Sequence, residues 1–453
     1  MATSTDQIRL ILAAGPRGAA AIAKKAGLSQ PTLSRAIAAM GSDVVRIRTA
    51  RSIQYALRDN TRGLGDMPVY RVGTDGRIQH LGVLTPVRDD GFVMQQADGT
   101  TLHSAGIPWW LLDMRPQGFM GRAYASRHAQ SLGLPASISE WSDTHALRAL
   151  LAHGHDAVGS LLIGNIARDR FIHAPDPTPI AHAEKAQTYV RLANEAAGTA
   201  DTWSSAAGEQ PKFAAFAETA HGARHLIVKF TVPDDNPVSQ RWRDLLLAEH
   251  HALQTLNAGG VPAAQSAVGD ENGQRFLEVA RFDRVGDRGR CGLFSLAALD
   301  AEFTGKAPAP WPVQTAALLA GKHITVAAHQ GAALLYAFGT LIGNTDMHPG
   351  NLSFISTQGN PYANDLELAP AYDMLPMGFQ PRASGALTDT LQSASLHASV
   401  APVVWVRALD LAQTYLQNLR TETRFSAAFA PCLQSLEAHI ADAAAKVNRL
   451  AIE

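Results

Sequence analysis

Apolar residues at the start of the chain recur at helical spacing. Gln7–Ala14 predicts a helix ended by Gly15-Pro16, and Gly18–Ala26 a second with Gly27 as its turn. Ser29-Gln30-Pro31 opens a third, with a capping side chain followed by proline at the first helical position. Leu33, Ile37 and Met40 give that helix a buried face. Alternation then replaces the helical period, and Val44–Arg48 and Ile53–Leu57 predict two short strands around Thr49-Ala50-Arg51-Ser52. Residues 63–125 keep the alternation in Val69–Val72, Ile78–Leu84, Gly91–Gln95 and Thr101-Leu102-His103, with frequent turn signals between them. They predict a small β domain closed by Trp109–Gly118, whose tryptophan pair reads as core. Residues 126–200 are largely helical, with a proline-rich break at Ala174–Pro179. Arg224–Phe230 predicts a buried strand carrying one charge, Lys229, and Gln240–Leu256 a helix. Arg275–Ala280 predicts a strand that runs into the connector Ala280-Arg281-Phe282, residues 332–342 a buried helix, and Leu352–Ile355 a short strand after it.

Length and charge refine this picture. A chain of 453 residues calls for two to four domains. The net charge of −1 excludes a chain that binds polyanions over its whole surface. Residues 1–62, however, hold ten Lys/Arg against three Asp and no Glu, a net of +7, which leaves −8 on the remainder. Helix–helix–helix–hairpin order with that charge predicts a winged helix-turn-helix that binds duplex DNA. Its third helix would present Gln30, Thr32, Ser34 and Arg35 to the major groove, and its hairpin would lay Arg46, Arg48 and Arg51 along phosphates. The plainer alternative is a docking or dimerisation domain with a solvated basic face. Two distant cysteines, Cys291 and Cys432, suggest neither disulfides nor a cysteine zinc site and agree with a reducing cytoplasm. Asp6 and Arg9 stand where a signal peptide would need apolar residues, and no stretch predicts a membrane span.

The chemistry concentrates in Gly343-Asn344-Thr345-Asp346-Met347-His348-Pro349-Gly350-Asn351 and Ala369-Pro370-Ala371-Tyr372-Asp373. An Asp, an Asn five residues on and a later Asp, set on helix–loop–strand–loop, repeat the order of the catalytic loop and metal-binding Asp of protein kinases. Phosphoryl transfer needs a carboxylate beside the acceptor hydroxyl, and an amide oxygen and a second carboxylate on Mg²⁺. Asp346, Asn351 and Asp373 are the candidates. The alternative, a polar turn, would explain any one of them singly. Lys229 on a buried strand is costly unless paired, and Glu249 on the following helix is its expected partner. Small residues in Ser204–Lys212 would let backbone N–H groups approach phosphates. Neither a Walker A pattern nor a kinase Gly-x-Gly-x-x-Gly loop occurs, and there is no Gly-x-Ser-x-Gly elbow. His221 and His225 lack the helical face and glutamate of a zinc protease.

Five motifs in order, Gly208-x-Gln210-Pro211-Lys212, Ile227-Val228-Lys229, Arg281-Phe282-Asp283-Arg284, Asn344-x-Asp346-x-His348-x-x-Asn351 and Ala369–Asp373, resemble the HipA family of bacterial Ser/Thr kinases, toxins of type II toxin–antitoxin pairs. The resemblance covers residues 63–453, and the fused N-terminal module resembles the YjjJ-like subgroup. It implies an α+β multidomain chain: a two-lobed, atypical protein-kinase-like fold with a small β subdomain, preceded by a winged helix-turn-helix. The implied division is 1–62 for DNA binding, 63–125 for the β subdomain, 126–284 for the kinase N-lobe and 285–453 for the helical C-lobe. Asp346 would be the catalytic base, and Asn351 and Asp373 would hold Mg²⁺. ATP would contact Ala207, Gly208, Gln210, Lys212, Lys229, Glu249, the hinge Ala280-Arg281-Phe282, His348 and Tyr372. Ser205 falls where the family autophosphorylates. The implied protein substrate is an aminoacyl-tRNA synthetase or another translation factor, and a palindromic operator would call for a homodimer. The chain departs from the family at Pro349-Gly350, where many members carry Lys between the loop His and Asn, and at Ala280, where Glu is frequent. The competing reading is a DNA-binding regulator whose kinase-like body senses nucleotide or a partner without turnover.

Overall fold

The structure, a computed structural model, describes residues 3–49, 52–198, 210–356 and 366–452. The chain forms two compact units, 1–115 with 130–175, and 116–129 with 176–453. These units cut across the division expected from sequence, because 130–175 packs with the N-terminal unit and 116–129 with the other.

In the first unit, helices α1 (Ser4–Leu12), α2 (Ala19–Ala26) and α3 (Gln30–Met40) surround a core of Ile8, Leu12, Ile22, Leu33 and Ile37. Thr3 caps α1 and Ser29 caps α3, its Oγ accepting from Thr32 N–H. Gly27 ends α2 at φ +66°, a left-handed position that lets the chain turn tightly into α3. A two-residue strand β1 (Arg17–Gly18), which no sequence pattern announces, joins hairpin β2 (Val44–Thr49) and β3 (Ser52–Leu57) in the order β1-β3-β2. Two residues are too few to show alternation.

The hairpin lies between two cores. Val44, Tyr55 and Leu57 pack on the helices, while Val45, Ile47 and Ala56 pack with Val87 and Val93 of the next sheet. That sheet comprises β4 (Met67–Val72), β5 (Ile78–Val87), β6 (Gly91–Gln96) and β7 (Thr101–Ser104), all anticipated by alternation. The Thr101 hydroxyl meets both the N–H and the C=O of Arg48. Asp59, 1% exposed, staples the junction through Arg62 at 3.0 Å and Arg88 at 3.4 Å. Residues 1–62 therefore share a core with the β4–β7 sheet. The chain next gives α4 (Gly118–His128) to the second unit, then returns with α5 (Asp143–His153), β8 (Leu161–Ile163) and α6 (Gly164–His173). Strand β8 pairs with β4 and completes the order β7-β6-β5-β4-β8. All three of its residues are buried, so it shows no alternation and was not expected.

The second unit opens with α7 (Lys185–Gly198) and strands β9 (Lys212–Thr219) and β10 (Gly222–Phe230). Helix α8 (Pro237–Ala258) then precedes β11 (Ser266–Glu271) and β12 (Gln274–Ala280), giving an antiparallel sheet ordered β11-β12-β10-β9. One face packs Leu226, Val228, Phe230 and Phe276 against Phe119 and Tyr189. The other packs Leu277 and Val279 against Leu246 of α8. A small hairpin, β13 (Arg284–Val285) and β14 (Gly289–Arg290), leads to β15 (Gly292–Ser295), α9 (Leu296–Phe303), α10 (Trp311–Ala320) and α11 (Val326–Leu341). Strands β16 (Ser353–Ser356) and β17 (Glu367–Leu368) pair with β15 in the order β15-β16-β17, and α12 (Pro402–Thr421) and α13 (Ala430–Ile452) close the unit. No helix among the described residues is long and apolar enough to cross a membrane.

Candidate active site

Strand register builds the site's positive side. Lys229 on β10 lies directly opposite Lys212 on β9, so both ammonium groups belong to one face of the sheet. Like charges there repel unless anions answer them. Glu249 of α8, 1% exposed, takes Lys229 Nζ on both carboxylate oxygens at 2.7 and 2.8 Å, and Asp373 takes it on Oδ1. Burial disfavours the Lys229 ammonium, but the charges of Asp373 and Glu249 outweigh it and raise its pKa. Burial likewise works against the Asp373 carboxylate, and Lys229 and Lys212 overcome it, holding its pKa below the usual range. Glu249 is raised, chiefly by burial, with Lys229 opposing.

The acidic side comes from two loops. Helix α11 ends at Leu341, and Gly343 just beyond it, at a φ of +74°, turns the chain away from the helix axis. Asn344, 4% exposed, then ties both loops together. Its Oδ1 accepts from Asp346 N–H at 3.0 Å, and its Nδ2 donates to Asp373 C=O at 3.3 Å. Asp373 itself sits at φ +52°, a region Asp tolerates better than most residues. Asn351 Nδ2 donates to Asp346 C=O at 2.9 Å, a bond that commits the amide nitrogen and not the amide oxygen. His348 Nδ1 accepts from Gly350 N–H at 3.0 Å, which makes Nε2 the nitrogen that carries the proton in the neutral ring. Tyr372 OH donates to Gly350 C=O at 2.9 Å, lies 2.6 Å from Ser353 Oγ, and packs its ring 5.7 Å from that of Phe282.

Asp346, Asn351, Asp373, Lys229, Glu249, Lys212, His348 and Tyr372 thus belong to one connected arrangement. Asn344 joins them, although the sequence motif that contains it assigns it no role. Its place two residues before Asp346, where an Asn side chain turns back on its own backbone, was the available signal.

The connector is more constrained than expected. Ala280 N–H donates to Gln265 C=O and Arg281 N–H to His225 C=O, both at 2.8 Å, so neither N–H is offered to a bound base. Arg281 grips Asp283 with Nε and Nη2 at 3.0 and 2.9 Å, and Arg284 adds a third bond at 2.6 Å. Gln210 Nε2 donates to Phe230 C=O, pinning the start of β9 to the end of β10. Ala207, Gly208 and Ser205 lie outside the described residues, as does Arg51. In the first unit, Gln30, Ser34 and Arg35 are exposed on α3 and Thr32 is half-buried, its hydroxyl 2.9 Å from Ser29 Oγ. Arg46 and Arg48 are exposed on the hairpin, on either side of buried Ile47.

Comparison with known proteins identifies the chain's family. The family described as YjjJ-like toxin, middle domain, matches residues 64–172, and the HipA-like C-terminal domain matches residues 204–445. The Escherichia coli (strain K12) protein named Toxin YjjJ is 38% identical over 445 residues, covering 97% of this chain and 98% of that protein. Among solved structures, HipA of Shewanella oneidensis MR-1, from a toxin–antitoxin complex with HipB and operator DNA, matches 84% of this chain and 97% of its own. Its TM-score is 0.54 at 15% identity, which shows a shared fold. With the HipA-like domain spanning more than half of its length and a relative aligned almost end to end, the chain belongs to the HipA family, in its YjjJ-like branch.

Proposed function

We propose that the chain is a protein Ser/Thr kinase that uses ATP and Mg²⁺, fused to a duplex-DNA-binding module. The observation that carries this reading is the Lys229–Glu249–Asp373 cluster beside the Asp346–Asn351 loop. Lys229 and Lys212 offer two cations on one face for the phosphates of ATP. The Asn351 amide oxygen and the Asp373 carboxylate are hard oxygen donors of the kind Mg²⁺ takes. No cluster of three or more His, Cys, Asp or Glu suited to a metal occurs among the described residues, so phosphate and water would have to complete the shell. Bound Mg²⁺ would neutralise phosphate charge. Asp346, half-buried and held by Asn344 and Asn351, accepts the proton of the acceptor hydroxyl as its oxygen bonds to the γ-phosphorus and ADP departs. With the Ala280 and Arg281 N–H groups engaged, base recognition falls to other groups of the connector. Inducing the wild-type chain and Asp346→Gln in cells and comparing their phosphoproteomes tests this reading. New phosphoserine or phosphothreonine sites on a protein substrate, an aminoacyl-tRNA synthetase among those to inspect, should arise with the wild type only. Identical phosphoproteomes would sink it.

The DNA-binding half rests on the +7 charge of residues 1–62 and on the exposed Gln30, Ser34, Arg35, Arg46 and Arg48. A regulator without turnover is the second reading. It is favoured by the Pro349-Gly350 departure and by the contact that occupies Lys229 with Asp373. Nucleotide binding without phosphate transfer would support it.

A further inference from the structure

The segment after Asp373 runs without regular helix or strand, apart from one short turn, to the start of α12. Among the described residues, its hydrogen bonds to the sheet's helix come from Arg241. Arg241, in the second turn of α8, is 4% exposed. Its Nη1 donates to Phe379 C=O at 3.0 Å and to Thr388 C=O at 2.8 Å, and its Nη2 to Asp389 Oδ1 at 2.5 Å. The guanidinium also lies over the ring of Phe429, 5.7 Å from its centre. A planar fork satisfied by two carbonyls, a carboxylate and an aromatic face is a built clamp that a lysine could not reproduce. Phe379 is buried and Asp389 also receives Cys432 Sγ at 3.5 Å, while residues 382–387 between them are exposed, so the clamp closes the two ends of an exposed loop onto α8.

Eight residues further along the same helix stands Glu249, about 12 Å away at the usual helical rise. A helix transmits displacement along its axis. Other bonds also hold α8: Ser426 donates to Asp244 from N–H and hydroxyl at 3.0 and 2.6 Å, and Tyr415 OH donates to Ala248 C=O at 3.2 Å. Neither reaches the segment between Asp373 and α12. We infer that Arg241 is a positioning residue: by clamping residues 379–389 to α8 it sets the height at which Glu249 meets Lys229. Asp389 supplies the anion from the chain itself, so the clamp closes without any modification of the segment. The inference deepens the kinase reading of the site and rests on it for its consequence, not for its geometry.

Hydrogen exchange on the full-length protein tests it without nucleotide. Arg241→Met should raise exchange at least about fivefold both in residues 379–391 and in α8 around Glu249. A rise confined to 379–391 would overturn the inference. Asp389→Asn keeps the shape of the carboxylate and removes its charge, and should give the same pattern in weaker form if Arg241→Met does not fold. Leu391 N–H donates to Ser435 Oγ at 2.9 Å, so Ser435→Ala loosens the far end of the segment and should leave the Glu249 region unchanged. A second readout is the affinity for Mg²⁺ with a non-hydrolysable ATP analogue. Arg241→Met and Glu249→Gln should each weaken it about tenfold, and the double variant no further, because both act through one contact. Additive losses would make Arg241 a merely structural residue. If the wild-type chain binds no analogue, the nucleotide reading of the site fails, and the exchange pattern still decides the clamp.

Discussion

At residue 350 a side chain would begin inside a neighbour. An ideal Cβ there lies 2.8 Å from Cε1 and 2.9 Å from Nδ1 of His348, closer than real Cβ contacts come. Glycine is what allows the imidazole to fold back and accept the Gly350 N–H. A side chain at this position would therefore cost this chain its His348 conformation. Gly350→Ala should displace the ring, break that bond and lower phosphoryl transfer by about tenfold, on the order of one hydrogen bond, with nucleotide affinity nearly kept. Unchanged turnover would show that the His348 orientation is irrelevant. The order and spacing of Asp346, Asn351 and Asp373, and a lysine on an apolar strand, made these residues legible in the sequence. The roles of Asn344 and Arg241 were not, because each depends on a partner distant in the chain: Asp373 C=O for one, Phe379 and Asp389 for the other.

At the scale of elements, the predicted helices and strands have ends displaced by a few residues, and β9 and β11 were not predicted. Strands β1 and β8 are too short or too buried for a period to show, and the two-sided burial of the β2–β3 hairpin is decided by Val87 and Val93. That burial has a consequence. Ile47→Ala opens a cavity between hairpin and sheet and should cost about 2–4 kcal/mol by denaturant titration. It should also weaken DNA binding by misplacing Arg46 and Arg48, whereas Arg35→Ala should reduce operator discrimination without loss of stability. Full DNA affinity in a destabilised Ile47→Ala protein would separate the hairpin from the proposed recognition. Helix α8 carries a pH-dependent term as well. Burial, with the charges of His251 and Arg424, presses His250 down to about 4, and its Nδ1 lies 2.9 Å from Ser266 Oγ. A histidine lowered on folding stabilises the fold above its unfolded pKa of roughly 6.5, and that stability is lost as pH falls from there toward 4. The term is on the order of 1–3 kcal/mol. Unfolding of wild type and His250→Asn at pH 7 and pH 4.5 should show a gap at pH 7 that narrows on acidification. A gap independent of pH would contradict it.

For the whole molecule, the division into a basic N-terminal part and an acidic remainder was readable from charge alone, since +7 and −8 do not arise from an even distribution. Where the chain separates physically was not readable. Residues 116–129 and 130–175 exchange places between the two units, and only long-range packing decides that. Because the hairpin's second core lies beyond residue 62, the proposed DNA binding is to be tested on the full-length protein. Its affinity should fall steeply with rising salt as Lys and Arg contacts release counterions, and no binding at low salt would favour a protein-docking role. The central claim, that one loop and one cluster transfer phosphate, is tested most directly with purified full-length protein, Mg²⁺ and γ-labelled ATP, without any substrate being known. Wild type should incorporate label into itself or an added protein acceptor, while Asp346→Gln incorporates at least about 10²-fold less and still binds the nucleotide. Equal incorporation by both proteins, or nucleotide binding by the wild type without any transfer, would contradict it.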